Sequence, residues 1–287
     1  MKIILYRNVY SVVMLVMLIT ILTACSSTRL IYTFVDKFIK NEIIYFIDLD
    51  KDEEKVMSYE VSKMLIWHRT FMLPKYANFL SDMANKLEAD QYDVVYISKS
   101  LENGWSLIEE TIIGLTPYAS EFLIRHQTAS DIEFMEKRMK IRQQERLIKL
   151  SEPNDIRYEN NLDRLTSNFE RFFGNLTDEQ LLLLEEYSTA TLEDSKTRLY
   201  NRTLRQKALV KFLKTQPTQD ELMTFLNKLL LYGHLITNPA NKAFSEAWLE
   251  RFQALLVNML ATSSLEQRKK MIGKLRDYSK DFKNISG

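Results

Sequence analysis

LPKYANFLSDMANKLE, residues 73–88, sets Leu73, Tyr76, Ala77, Leu80, Met83, Ala84 and Leu87 at intervals of three and four. At about 3.6 residues per turn these side chains share one face, so the segment is expected to form an amphipathic helix. Pro74 stands in its first turn, where a missing amide donor costs little. Similar stripes run through the chain on both sides. Ile43-Ile44-Tyr45-Phe46-Ile47 has strand-like composition but no second strand to pair with, and is assigned to a helix. Helices are expected near 29–47, 51–71, 74–88, 91–113, 117–127, 131–150, 155–173, 178–214, 219–232, 240–261 and 265–283. The expected fold is all-α, about ten helices in a multi-helix bundle or in stacked helical hairpins.

Helix punctuation supports this. Asp50 with Glu53, Ser130 with Glu133, Thr177 with Gln180, Thr218 with Glu221 and Ser264 with Gln267 have capping-box spacing, in which two side chains satisfy each other's orphan amides. Pro74, Pro117, Pro153, Pro217 and Pro239 fall near expected helix starts, and Gly114, Gly174 and Gly233 near expected ends. The chain of 287 residues holds only six Gly and five Pro, too few for many short strands and tight turns. Gly114-Leu115-Thr116, Gly174-Asn175-Leu176-Thr177 and Gly233-His234-Leu235-Ile236-Thr237 recur about every 60 residues, as in a stacked array, although the segments between them lack self-similarity.

The beginning of the chain carries a location. Lys2 and Arg7 precede an apolar run, Val9 to Leu22, shorter than the roughly 20 residues of a membrane span, and Thr23-Ala24-Cys25 follows. Residues 1–24 read as a cleaved signal peptide. Leu22-Thr23-Ala24-Cys25 matches the lipobox of bacterial lipoproteins, with the only cysteine of the chain as the lipidation site. Lipid carrying more than one acyl chain would anchor the protein stably. Ser26 and Ser27 follow, without the aspartate at the second position that marks inner-membrane retention, so the expected place is the periplasmic face of the outer membrane. Residues 25–28 form a very short tether. Residues 29–287 make a helical periplasmic domain, with a subdivision allowed near 151–155. The aromatic residues from Tyr32 to Phe46 suit either a core or a membrane-facing helix.

Charge and residue types exclude several functions. Lys and Arg number 39 against 38 Asp and Glu, and loss of Lys2 and Arg7 with the signal turns the formal charge from +1 to −1. Nucleic acid is therefore not an expected partner. One cysteine and three histidines leave no resident metal site in view, and no cofactor is expected beyond the lipid on Cys25. The adjacent acids Glu53-Glu54, Glu109-Glu110 and Glu185-Glu186 diverge by about 100° on a helix and do not make a glycosidase pair.

Trp67-His68-Arg69, followed by Tyr76, is the densest constellation and the candidate binding patch. Its aromatic residues would offer flat surfaces, and Arg69 a two-pronged grip on carboxylate or phosphate. The plainer reading has His68 ending the apolar stripe of Met57, Val61, Met64 and Leu65. Lys137, Arg138, Lys140, Arg142, Arg146 and Lys149 form a basic stretch that would suit anionic headgroups, yet Glu133, Glu136 and Glu145 each stand four residues before a lysine. The better expectation is a self-paired, solvated face.

The chain resembles an uncharacterised family of helical lipoproteins of Gram-negative bacteria, a domain of unknown function. The resemblance rests on the lipobox ending at Cys25, on Arg29-Leu30-Ile31-Tyr32, on Asp48-Leu49, and on Trp67-His68-Arg69 with Leu73-Pro74-Lys75-Tyr76-Ala77. Later it takes in Gly174-Asn175-Leu176-Thr177-Asp178-Glu179-Gln180. It extends over most of the chain after Cys25 and is most specific in the first third. The family's tryptophan in the opening helix and glutamine soon after Asp-Leu give way here to Phe34-Val35-Asp36 and Asp50-Lys51-Asp52. The resemblance implies an envelope lipoprotein with a helical ectodomain and transfers no activity.

The expected function is accordingly that of a lipid-anchored envelope protein which binds or scaffolds an envelope protein or cell-wall partner, with enzyme activity left open. An enzyme acting on cell-wall glycan or lipid, and a mechanical or assembly factor without a discrete site, fit the same residues.

Overall fold

Side-chain caps start most of the helices in the computed structural model, which describes residues 27–286, with side chains from Phe34 onward. The expected signal peptide and Cys25 lie outside the described residues. Within them every regular element is helical: α1 (Ser27–Phe46), α2 (Lys51–Trp67), a π-helical turn (His68–Met72), α3 (Leu73–Glu88), α4 (Val94–Leu123), α5 (Ala129–Leu150), α6 (Asn154–Phe173), α7 (Asp178–Ala190), α8 (Asp194–Leu213), α9 (Gln219–Leu231), a 3-10 turn (Gly233–Leu235), α10 (Ala240–Ala261) and α11 (Leu265–Ser286). The all-α expectation holds, and Ile43 to Phe46 is helical.

Asp50 accepts from the Asp52 and Glu53 amides while Glu53 accepts from the Asp50 amide. Thr177 with Gln180, Thr218 with Glu221 and Ser264 with Gln267 close the same reciprocal pair at α7, α9 and α11. A cap of this kind contributes about 1 kcal/mol. At α5 the box is Thr128 with Asp131 instead of Ser130 with Glu133. Two cap sequences lie two residues apart there, and the backbone turns helical at the first.

Three expected boundaries are corrected. Pro74 does not separate two helices, because α2 runs into α3 through the π-helical turn. A proline presses on the carbonyl four residues back and removes one donor; the wider turn, in which the Leu73 amide reaches the His68 carbonyl, accommodates both. The expected helices 91–113 and 117–127 merge into one, α4, with Gly114 and Pro117 inside it. Burial of Thr116, Ser120 and Phe122 against neighbouring helices outweighs the weak local propensity. Residues 178–214 instead divide at Thr191–Glu193. Arg157 of α6, only 8% exposed, donates to the Leu192 carbonyl at 2.7 Å and to Glu193 at 3.2 Å, taking an acceptor that a continuous helix would use internally. With Gly114 inside a helix, the expected repeat loses its first member. Gly174 does end α6, at φ 83°, and Gly233 follows α9 in the 3-10 turn.

Helices pair antiparallel through small buried residues and polar clasps. Ala77 and Ala84, with no exposed surface, let α11 lie close on α3, where Ser279 donates to the Ala77 carbonyl at 2.7 Å and Arg276 grips Glu88 at 2.6 Å. Tyr232, just beyond α9, donates to Glu109 of α4 at 2.8 Å. One apolar core gathers α1, α2, α5, α9 and the ends of α4 and α8 round Met57, Leu213 and Leu222. The other gathers α3, α6, α7, α10 and α11 round Ala84, Leu184 and Met259. Each buried Leu or Met contributes about 1.5–3 kcal/mol. Residues of α4, α5, α6, α8 and α10 frame a cleft.

Candidate functional site

The cleft encloses about 890 Å³. One wall is α8, which turns Arg198, Arg202 and Arg205 to the same side because they stand at i, i+4 and i+7. The last turns of α5 add Arg146 and Lys149, and α6 adds Arg164. The lining also carries aromatic side chains: Trp105 from α4, and Phe244 and Trp248 from α10. Six cations thus line a cavity whose single acid, Glu246, sits 3.7 Å from Lys242.

Local packing fixes this geometry. Asn201, buried on the cleft side of α8, donates to the Thr197 carbonyl and accepts from Asn238, which ties α8 to the approach of α10. Arg198 lies over the Trp248 ring at 4.8 Å, and that indole also stacks on Phe252, with ring centres 5.6 Å apart. Arg164 is steadied by Asn161 at 2.7 Å. The Arg205 stem runs past Gly233, where a Cβ would come 3.0 Å from its Cδ.

Arg146, Arg202 and Arg205 make no ion pair with a carboxylate among the described residues. Burial pushes the Arg202 guanidinium below its ordinary pKa, and the nearby charges of Arg146, Arg142 and Arg205 push in the same direction, opposed by Glu42. Burial also lowers Arg205. Arginine does not release its proton in a protein, so this cost persists until an anion offsets it. The arrangement is chemically suited to holding a negatively charged ligand.

The residues expected from the sequence lie elsewhere. Trp67 inserts its indole against Gly114 of α4, stacks on Phe71 and tilts against Tyr118. Tyr76 hydrogen-bonds Thr111 of α4, and its ring lies 5.7 Å from that of His68 and 6.2 Å from Phe282. His68 is half-buried, and burial lowers its pKa. Arg69 is exposed on the π-helical turn. The structure therefore brings Trp67, His68 and Tyr76 together along the seam on which α2 and α3 meet α4.

The basic stretch of α5 is divided between two tasks. Of its three expected glutamate–lysine pairs, only Glu136 with Lys140 forms among the described residues, at 3.5 Å, and Glu136 also takes Lys214. Arg138 donates to the Tyr45 carbonyl and lies over its ring, while Arg142 bonds Glu42, so both fasten α5 to α1. Arg146 and Lys149 go to the cleft, which corrects the expectation of a wholly self-paired face. Sequence reasoning missed Arg198, Arg202, Arg205 and both tryptophans. The arginine spacing on α8 was a readable signal, whereas the rest of the lining comes from remote segments.

A family model described as a family of unknown function, DUF6279, matches residues 45–231. That span includes all six cations of the cleft and stops before α10. No curated protein and no solved structure matches the chain.

Proposed function

Since the chain belongs to this family of unknown function, we propose that it is a lipid-anchored periplasmic binding protein of the cell envelope, which takes an anionic envelope component into the cleft. The observation that carries the reading is a cavity lined by six cations, none of them in an ion pair with a carboxylate among the described residues, in a chain of almost balanced charge. The chemistry on offer is recognition: guanidinium groups grip phosphate or carboxylate through paired hydrogen bonds, and a semi-enclosed site strengthens those bonds.

The anchor is the lipidated Cys25, and its proposed site is the periplasmic face of the outer membrane. Phe34 and Phe38, 62% and 64% exposed on one side of α1, stand close after it in sequence and suit a helix lying near lipid. No helix among the described residues is long and apolar enough to cross a membrane.

The test uses the mature lipidated protein in non-ionic detergent, titrated with inorganic pyrophosphate by calorimetry. Binding is expected, and the double variant Arg202→Ala, Arg205→Ala should weaken it by about tenfold or more while circular dichroism stays helical. Absence of binding, or equal binding by the folded variant, overturns the reading of the cleft. Mass spectrometry that finds Cys25 unmodified overturns the anchor.

A further inference from the structure

The cleft is lined by two chemically unlike sets of side chains, cationic and aromatic, and each constrains a different part of a ligand. We propose, resting on the reading of the cleft as an anion site, that its ligand is a phosphorylated sugar, with the phosphate on Arg146, Arg202 and Arg205 and the sugar ring on Trp105.

Three guanidinium groups that make no ion pair among the described residues, Arg146 and Arg205 both near enough for their charges to act on Arg202, match a phosphate monoester, which carries close to two charges and three acceptor oxygens. A carboxylate offers two oxygens and one charge, and would leave part of the cluster uncompensated. A bare phosphate is also too small for the space, because about 890 Å³ lies in the range of pockets that hold a whole organic ligand. The remainder of the ligand must therefore be accounted for by the rest of the lining.

Trp105 supplies the platform. It is 51% exposed and stacks on no other ring among the described residues, whereas Trp248 already stacks on Phe252 and carries Arg198 over its ring. An open indole beside polar side chains suits a group that is apolar on its flat face and hydroxylated at its edge. The polar side chains are present: Asn241 and Ser245 on α10 line the same cavity. An acyl chain there would leave them without partners, which is costly on desolvation. A sugar ring satisfies both kinds of surface.

The same headgroup chemistry occurs free or attached to a lipid, so the experiment separates the sources. The mature lipidated protein in non-ionic detergent is titrated with inorganic phosphate, glucosamine and glucosamine 1-phosphate. Glucosamine 1-phosphate should bind about tenfold or more tightly than either part alone, Trp105→Ala should bring it to within about twofold of inorganic phosphate, and Arg202→Ala should weaken both phosphorylated ligands. Equal affinity for phosphate and sugar phosphate, or a preference that survives in Trp105→Ala, overturns the inference while leaving an anion site. Failure of pyrophosphate to bind removes that underlying reading as well. Mixed micelles containing lipid A then compete: displacement of the bound sugar phosphate supports a lipid headgroup as its source, and retention supports a free sugar phosphate.

Discussion

Gln180 and Gln267 face each other in the interior and exchange two hydrogen bonds: Gln267 Nε2 donates to Gln180 Oε1 at 2.8 Å, and Gln180 Nε2 returns to Gln267 Oε1 at 3.1 Å. Each is also the third residue of its helix and accepts the amide of its own cap residue, Thr177 or Ser264. Two capping boxes, 87 residues apart, are thereby joined into one closed network that also takes in the Asn175 carbonyl. Gln180 has no exposed surface and Gln267 is 7% exposed, so water does not replace a lost partner cheaply.

Gln180→Leu should therefore destabilise the protein by about 2–4 kcal/mol, since it removes a cap and leaves Gln267 underbonded in a dry site. Urea unfolding followed by circular dichroism measures this. The double variant with Gln267→Leu should lose less than the sum of the single changes, because both ends of the pair are then apolar. Strict additivity would contradict the coupling.

Gly114→Ala should also destabilise, although alanine is the better helix former by about 1 kcal/mol. A Cβ at position 114 would stand 1.9 Å from Cζ2 of Trp67, and that indole is hemmed in by Phe71 and Tyr118. Displacing a packed ring costs about 1–3 kcal/mol. Trp67→Leu introduced into the Gly114→Ala protein should make the alanine neutral or stabilising, as read from urea midpoints. Alanine that stabilises with Trp67 in place would refute the contact.

His68 makes stability pH-dependent in a defined direction. Burial holds its folded pKa below the ordinary 6.5, so between the two values the unfolded chain binds more protons than the native one. Stability from this group is complete above about pH 6.5 and declines on acidification until native His68 itself takes a proton. The gap in urea midpoint between the native protein and His68→Gln should thus shift against the native protein from about pH 7.5 to about pH 5.5. A gap that does not change with pH would show that His68 does not titrate differently on folding.

Helix content and most helix starts were legible because their causes are local. Asp50 and Glu53, or Thr218 and Glu221, satisfy each other within one turn, and nothing distant is needed to form the bond. Breaks were less legible where a distant side chain intervenes. Gly114 resembles a stop until Trp67 occupies its empty side, and the run from 178 to 214 appears continuous until Arg157 takes the Leu192 carbonyl. Trp67, His68 and Tyr76 stood out because they are close in sequence, and the fold uses them in a helix seam. Three arginines on one face of α8 were present in the spacing, but a cationic face alone does not distinguish solvent from cavity.

By itself, then, the sequence determined an all-α chain, its caps, and the apolar stripes that must be buried, since each depends on residues a few positions apart. Only the tertiary structure decided that α5 and α8 bring their arginines into one cleft with Trp105 and the aromatic side chains of α10. The relative placement of those helices follows from how two separate cores bury their faces, and that is a property of contacts between remote segments, not of any one of them.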